Sequence, residues 1–98
     1  MDIREIQKRT EELFGKEDRI SGPHFLAGIL AEETGELAAA VRGRGSVAEE
    51  AADVIFVVLS IANLFDADVA TALEKKYMLR TKDEICSTWN DVSWKKRE

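Results

Sequence analysis

Five acidic side chains carry the chemistry this sequence offers: Glu32, Glu33 and Glu36 in one stretch, and Glu50 and Asp53 in a second. On a helix, residues three apart are neighbours, with Cβ atoms about 5–6 Å apart. Glu33 with Glu36, and Glu50 with Asp53, are therefore two carboxylate pairs, each on an otherwise apolar face. Soluble proteins seldom bury acids without a partner. If the two helices form an antiparallel hairpin, the pairs can face each other. Four acids that close cannot all stay ionised without cations. Oxygen-only ligation selects a hard cation, Mg²⁺ or Mn²⁺. A redox di-iron bundle uses Glu-x-x-His pairs, but none occurs here and His24 is the only histidine. The competing explanation is that Glu33 pairs with a buried Arg or Lys. It accounts for one acid more easily than for two neighbours.

A Mg²⁺ site with open positions suits phosphate substrates, because the metal bridges phosphate oxygens and neutralises developing charge. Lys and Arg nearby would hold the outer phosphates. No Gly-rich phosphate loop is present to do so through backbone amides.

The elements that must position these acids read as helices. A first helix is expected over residues 3–14, with Asp2 as N-cap and Gly15 as its end. Residues 16–22 read as a polar loop. Its Lys16 and Arg19 are solvated charges on the simpler reading and phosphate contacts on the other. A second helix starts at Pro23, a good first-turn residue, and runs to about Arg42. Its apolar stripe (Leu26, Ile29, Leu30, Leu37, Ala40, Val41) passes through Glu33 and Glu36, with Glu32 at its margin. His24 reads as a surface residue of the first turn. Gly43-Arg44-Gly45 breaks the pattern. Arg44 there is either a solvated cap residue or a mobile cation beside the acids.

The third helix opens with a capping box, Ser46-x-x-Glu49, which accounts for Glu49 without chemistry. Glu50 and Asp53 remain, on a stripe continuing through Val54, Val57, Val58, Ile61, Leu64 and Phe65. Ile55, Phe56, Leu59 and Ala62 make this helix apolar nearly all round. Such a helix is central, or half of it meets another subunit. Asp66-Ala67-Asp68 reads as a turn, either Asp capping a fourth helix from Val69 to about Cys86. Val69, Leu73, Lys76, Tyr77 and Arg80 share a face of that helix. On the simpler reading Lys76 and Arg80 snorkel to solvent. Trp89 and Trp94 call for burial against the bundle or a partner chain.

Composition sets the outer limits. The chain has 98 residues, 45% of them hydrophobic, which reads as a single domain over residues 1–98. The net charge is -5 with no long basic run, which argues against a nucleic-acid polymer as partner. One cysteine, Cys86, forbids an internal disulfide and fits a reducing, cytoplasmic setting. It reads as a small buried hydrophobe. The N-terminus is interrupted by Arg4, Glu5, Lys8 and Arg9, unlike a signal peptide. The longest apolar run is too short to span a bilayer.

Taken together, Glu-Glu-x-x-Glu, a short spacer and Glu-x-x-Asp resemble the MazG-like nucleotide pyrophosphohydrolases. These belong to the all-α NTP pyrophosphatase superfamily, with dimeric dUTPases and phosphoribosyl-ATP pyrophosphohydrolases. The likeness extends through Leu30-Ala31-Glu32-Glu33-Thr34-Gly35-Glu36-Leu37-Ala38 and Glu49-Glu50-Ala51-Ala52-Asp53-Val54-Ile55-Phe56. Asp66-Ala67-Asp68-Val69 with Ala72-Leu73-Glu74-Lys75-Lys76 is similar to the next turn and helix. In all it covers roughly residues 25–80. The resemblance implies an all-α, antiparallel four-helix bundle-like fold completed by oligomerisation as a dimer or tetramer, with sites at subunit interfaces. It implies that Glu33, Glu36, Glu50 and Asp53 ligate Mg²⁺, while Glu32 orients a water or a second metal. The expected reaction is cleavage of a (d)NTP between the α- and β-phosphates, giving a (d)NMP and pyrophosphate. Lys76 matches a family Lys, but Arg80 stands where the family carries Asn; with Arg44 these are the candidate substrate contacts. The alternatives are a related enzyme acting on dUTP, dUDP or phosphoribosyl-ATP, and a non-catalytic helical metal-binding interaction module.

Overall fold

The computed structural model describes residues 1–89 of the chain. Those residues form helices and turns with no strand: α1 (Ile3–Ser21), α2 (Pro23–Val41), α3 (Val47–Leu64), α4 (Val69–Leu73) running into a π-helical turn (Glu74–Met78), and α5 (Lys82–Cys86). The all-α expectation holds. Trp94 lies outside the described residues.

The central element is α3, which packs most extensively on α2 and then on α1. Its inner face supplies Val57, Leu59 and Ala62 to the buried apolar set, which also includes Leu26 and Ala40 of α2, Ala70 of α4 and Cys86 of α5. Cys86 is thus the small buried hydrophobe expected of it. Phe14 of α1 meets Phe56 of α3 edge to face, ring centroids 5.6 Å apart. The nearly all-round apolar character of α3 leaves Ile55, Phe56 and Val58 between 37% and 48% exposed.

The first helix is longer than expected. Gly15 is buried within it rather than ending it, and the segment read as a loop is helical through Ser21. The Glu11 carboxylate lies across Gly15 to reach Arg19 at 2.6 Å. That ion pair spans two turns, and a side chain at residue 15 would obstruct it. Arg19 is therefore engaged, not a free loop cation. The true terminator is Gly22, whose φ of 88° is open to glycine and costly for other residues. Its amide caps Asp18 at 2.8 Å and its carbonyl accepts from Leu26 at 3.2 Å, so one residue closes α1 and opens α2. Pro23 then occupies the first turn of α2, as expected.

The fourth helix is shorter than expected. Asp68 caps it, accepting from the Thr71 amide at 3.1 Å, while Asp66 takes a φ of 50°. Arg4 of α1 reaches the same corner, 2.9 Å from Thr71 Oγ1 and 3.3 Å from Asp68. The α-helix then widens into the π turn, closed by Leu79 N–H donating to Glu74 O at 2.9 Å. A separate helix begins after Thr81, whose hydroxyl and Glu84 form a reciprocal capping box. No continuous helix from 69 to 86 forms, so Lys76 and Arg80 do not share one helical face with Val69.

Candidate metal and phosphate site

The α2–α3 hairpin turns over residues 42–46. Arg42 and Arg44 amides both donate to Ala39 O at 3.0 Å, and Gly43 N–H donates to Ala40 O at 2.9 Å. Gly45 has a φ of 112°, and a Cβ built there would lie 3.8 Å from Glu50 Oε1. The turn therefore passes beside the first acid of α3, with Arg44 exposed on it. Ser46 caps α3 by accepting from Glu49 N–H at 3.2 Å. Only this half of the expected capping box forms; the reciprocal Glu49 bond is absent among the described residues.

This hairpin brings Glu33 and Glu36 of α2 against Glu50 and Asp53 of α3. Each of the four offers a carboxylate oxygen, and these oxygens all lie within 4.8 Å of one another. Each helix contributes one half-buried acid (Glu33, Glu50) and one exposed acid (Glu36, Asp53). The sequence reading placed all four on inward stripes. The cluster instead sits at the edge of the α2–α3 seam, with its outer pair open to solvent. Glu32 is exposed and is not among the four converging residues.

The electrostatics of the cluster are unfavourable. Glu33 has its carboxyl pushed above the ordinary glutamate range, first by desolvation and then by the charges of Glu36, Asp53 and Glu50. Glu50 is pushed the same way, first by desolvation and then by hydrogen bonding and charge from Glu36, with Asp53 and Glu49 adding to it. Among the described residues no ion pair to the four acids offsets this. The ion pairs between described residues include Arg4–Asp68, Arg9–Glu12 and Arg19–Glu11, all away from the cluster. Among the described residues, the alternative in which Glu33 pairs with a buried Arg or Lys is therefore not realised. Glu33 Oε2 and Glu50 Oε2 are buried with no hydrogen-bond partner. Buried polar atoms are normally satisfied, so the two helices present oxygens that lack a positive partner. An all-carboxylate donor set of this size fits a hard divalent cation.

The remaining candidates lie elsewhere. Lys76 and Arg80 line a cavity of about 350 Å³ with Tyr77, Ile85, Thr88 and Trp89, and none of the four acids lines it. Trp89, expected to be buried, is 41% exposed at the rim of that cavity. Tyr77 and Trp89 were not foreseen as site residues. The aromatic-plus-cation composition of residues 76–89 was the available signal.

The pattern of the MazG nucleotide pyrophosphohydrolase domain matches residues 21–84, more than half of the chain and all four converging acids. Among curated proteins, the phosphoribosyl-ATP pyrophosphatase of Pyrobaculum neutrophilum is 37% identical over 78 residues, covering 74% of this chain and 83% of its own length. No solved structure gives a significant match.

Proposed function

We propose, since the chain belongs to the MazG nucleotide pyrophosphohydrolase family and is itself a nucleotide pyrophosphohydrolase, that it hydrolyses a (d)NTP between the α- and β-phosphates with Mg²⁺ held by Glu33, Glu36, Glu50 and Asp53. The observation that carries this reading is the convergence of four carboxylates with two buried, unpartnered oxygens. Mn²⁺ satisfies the same donor set.

Bound there, Mg²⁺ would neutralise phosphate charge and make an attacking water more acidic. The protein's own contribution is positional. Glu33 and Glu50, half-buried on facing helices, fix the floor of the site and hold it anionic. Glu36 and Asp53, exposed at its mouth, face the side from which a triphosphate arrives. Glu32, exposed on the same stretch, is assigned to orient the attacking water and take its proton. Arg44, on the turn that passes Glu50, is assigned to the outer phosphates, where it offsets charge on the leaving pyrophosphate. The water oxygen bonds to phosphorus, the α–β anhydride bond breaks, and pyrophosphate leaves with the bonding electrons. Lys76 is a phosphate contact by resemblance, and Arg80, standing where the family carries Asn, is a candidate substrate contact; both line a cavity that the acids do not.

A second reading has support of its own: the 37% identity to a phosphoribosyl-ATP pyrophosphatase favours phosphoribosyl-ATP as substrate. A panel of (d)NTPs, dUTP and phosphoribosyl-ATP, incubated with Mg²⁺ and read by product mass, decides between them. Monophosphate and pyrophosphate from a (d)NTP support the first reading; turnover of phosphoribosyl-ATP alone supports the second.

We also assign residues 1–98 to one domain acting as a cytoplasmic homo-oligomer. No single described helix is long and apolar enough to cross a membrane. Exposed Ile55, Phe56 and Val58 on α3, with Phe25 59% exposed on α2, supply apolar surface for a second copy.

A further inference from the structure

Among the described residues nothing covers one face of α4 and the turn that follows it. Val69, Ala72, Leu73 and Lys76 recur there at helical spacing. With Ala67, Asp68 and Tyr77 they line a groove of about 210 Å³ whose walls are almost wholly apolar. Elsewhere α4 packs on α1, and Ala70 is buried, whereas Leu73 on the groove face is 36% exposed. The groove is smaller than the roughly 300–1,000 Å³ usual for a small-molecule site, and few polar groups converge on it. It suits one large apolar side chain.

The chain itself carries such a side chain within reach. The described residues stop at Trp89, which lines a cavity with Lys76 and Tyr77, and those two residues also line the groove. Trp94 follows five residues later, and five residues span at most about 18 Å. In an extended segment Val92 and Trp94 share one face, with Ser93 on the other. The order of charges matches as well. The groove has Lys76 at the end nearest Trp89 and Asp68 at the far end, about 12 Å apart along the helix axis. The segment carries Asp91 and then Lys95, about 14 Å apart when extended. Running antiparallel to α4, it sets each charge beside its opposite. A segment tethered this closely has an effective concentration on the order of millimolar, an advantage that a separate partner lacks.

We propose that the groove on α4 is the docking site of the chain's own C-terminal segment, residues 91–95, with Trp94 as its anchor on Val69, Ala72 and Leu73. Tryptophan is the side chain that most often anchors a docked segment in an apolar pocket. Val92 covers the end of the groove nearer Tyr77. The stripe on α4 is thus an internal interface, separate from the apolar surface of α3.

The test places bimane, a fluorophore that tryptophan quenches at close range, on the full chain carrying Lys75→Cys. Lys75 is exposed one turn beyond Ala72 and does not line the groove. Cys86 is buried and does not compete for the label. Emission is compared with that of the same labelled chain carrying Trp94→Phe. The expected result is quenching that Trp94→Phe abolishes and that dilution leaves unchanged. Melts are run in parallel. Trp94→Ala should lower Tm by about 4–8 °C. Combined with Leu73→Ala, the loss should fall short of the two single losses added together, as for residues in contact. Three outcomes overturn the proposal. The first is equal emission with and without Trp94. The second is quenching of the labelled Trp94→Phe chain by added unlabelled wild type, which would give the groove to a second copy's segment. The third is full additivity of the Leu73→Ala and Trp94→Ala losses.

Discussion

Glu33 on α2 and Glu50 on α3 bring carboxylate oxygens within 4.8 Å of each other, and each keeps its Oε2 buried with no hydrogen-bond partner. Two like charges in that position oppose the hairpin that makes them neighbours. The hairpin nonetheless forms, held by apolar packing between α2 and α3 and by the glycine turn. The cost is borne locally and is relieved by whatever positive charge enters the cluster.

Divalent metal should therefore stabilise the fold. A ligand that binds only the native state adds about 2.7 kcal/mol at a concentration of 100 Kd. For a domain of this size that is a rise in Tm of order ten degrees or more. Scanning fluorimetry with Mg²⁺, Mn²⁺ and EDTA measures it. An unchanged Tm in millimolar Mg²⁺ would favour a cluster that holds no cation.

The same pair sets a pH dependence. Both acids are raised above the ordinary value of 4.5, so the folded metal-free protein holds protons that the unfolded chain releases. Their contribution to stability is present below about 4.5 and is lost as pH rises through their folded values. Asp2, Asp68 and Glu84 act in the opposite sense. Hydrogen bonds at the helix caps lower their carboxyls, so their contribution is lost as pH falls. The difference in Tm with and without Mg²⁺ isolates the cluster, and it should grow from pH 4.5 upward. A difference that is flat with pH would contradict the assignment.

Glu33→Gln and Glu50→Gln should each raise the Tm of the metal-free protein by easing repulsion, while reducing the gain from Mg²⁺. Turnover should fall by about 10²–10³, the loss typical when one electrostatic contact to the reacting centre is removed. Parallel melts and rate measurements check this. A metal-free Tm that falls in both variants would mean that the buried oxygens already have a stabilising partner.

Gly15→Ala probes the length of α1. In mid-helix, Ala gains about 0.5–1 kcal/mol over Gly. The new Cβ comes within 2.5 Å of the flexible Glu11 carboxylate and weakens an exposed ion pair, itself worth about 0.2–1 kcal/mol. The two effects nearly cancel, so chemical denaturation should find a change within about 1 kcal/mol. Gly45→Ala, at a φ of 112°, should destabilise by about 1 kcal/mol or more.

Phe56→Asp should dissociate the proposed oligomer. Phe56 is 39% exposed on α3, and a charge there cannot be covered by an apolar partner face. Sedimentation analysis of the wild type and variant reads this. A wild-type protein that sediments as a monomer would remove the proposed interface.

Helices α2 and α3 and the identity of the four acids were legible in the sequence because several local signals agree. Pro23 and Ser46 mark helix starts, apolar residues recur at helical spacing, and each acid pair is three residues apart. The depth of each acid was not legible, because it depends on how the two helices roll against each other at the seam. The end of α1 was misread because a glycine terminates a helix only if the chain turns there. The Glu11–Arg19 contact that bridges Gly15 spans eight residues, beyond the three- and four-residue spacings that a helical reading inspects. The break before α5 did leave a trace, since Thr81-Lys82-Asp83-Glu84 has the capping-box pattern. The preceding π turn has no comparable signature in residue type.

The most direct test of the central claim is pyrophosphate release with Mg²⁺ by the wild type and by Asp53→Asn and Glu36→Gln, both at exposed positions of the cluster, with melts run alongside. The expected result is monophosphate and pyrophosphate from the wild type, and folded variants that have lost this activity. Unchanged turnover in both folded variants would contradict the assignment of the four carboxylates.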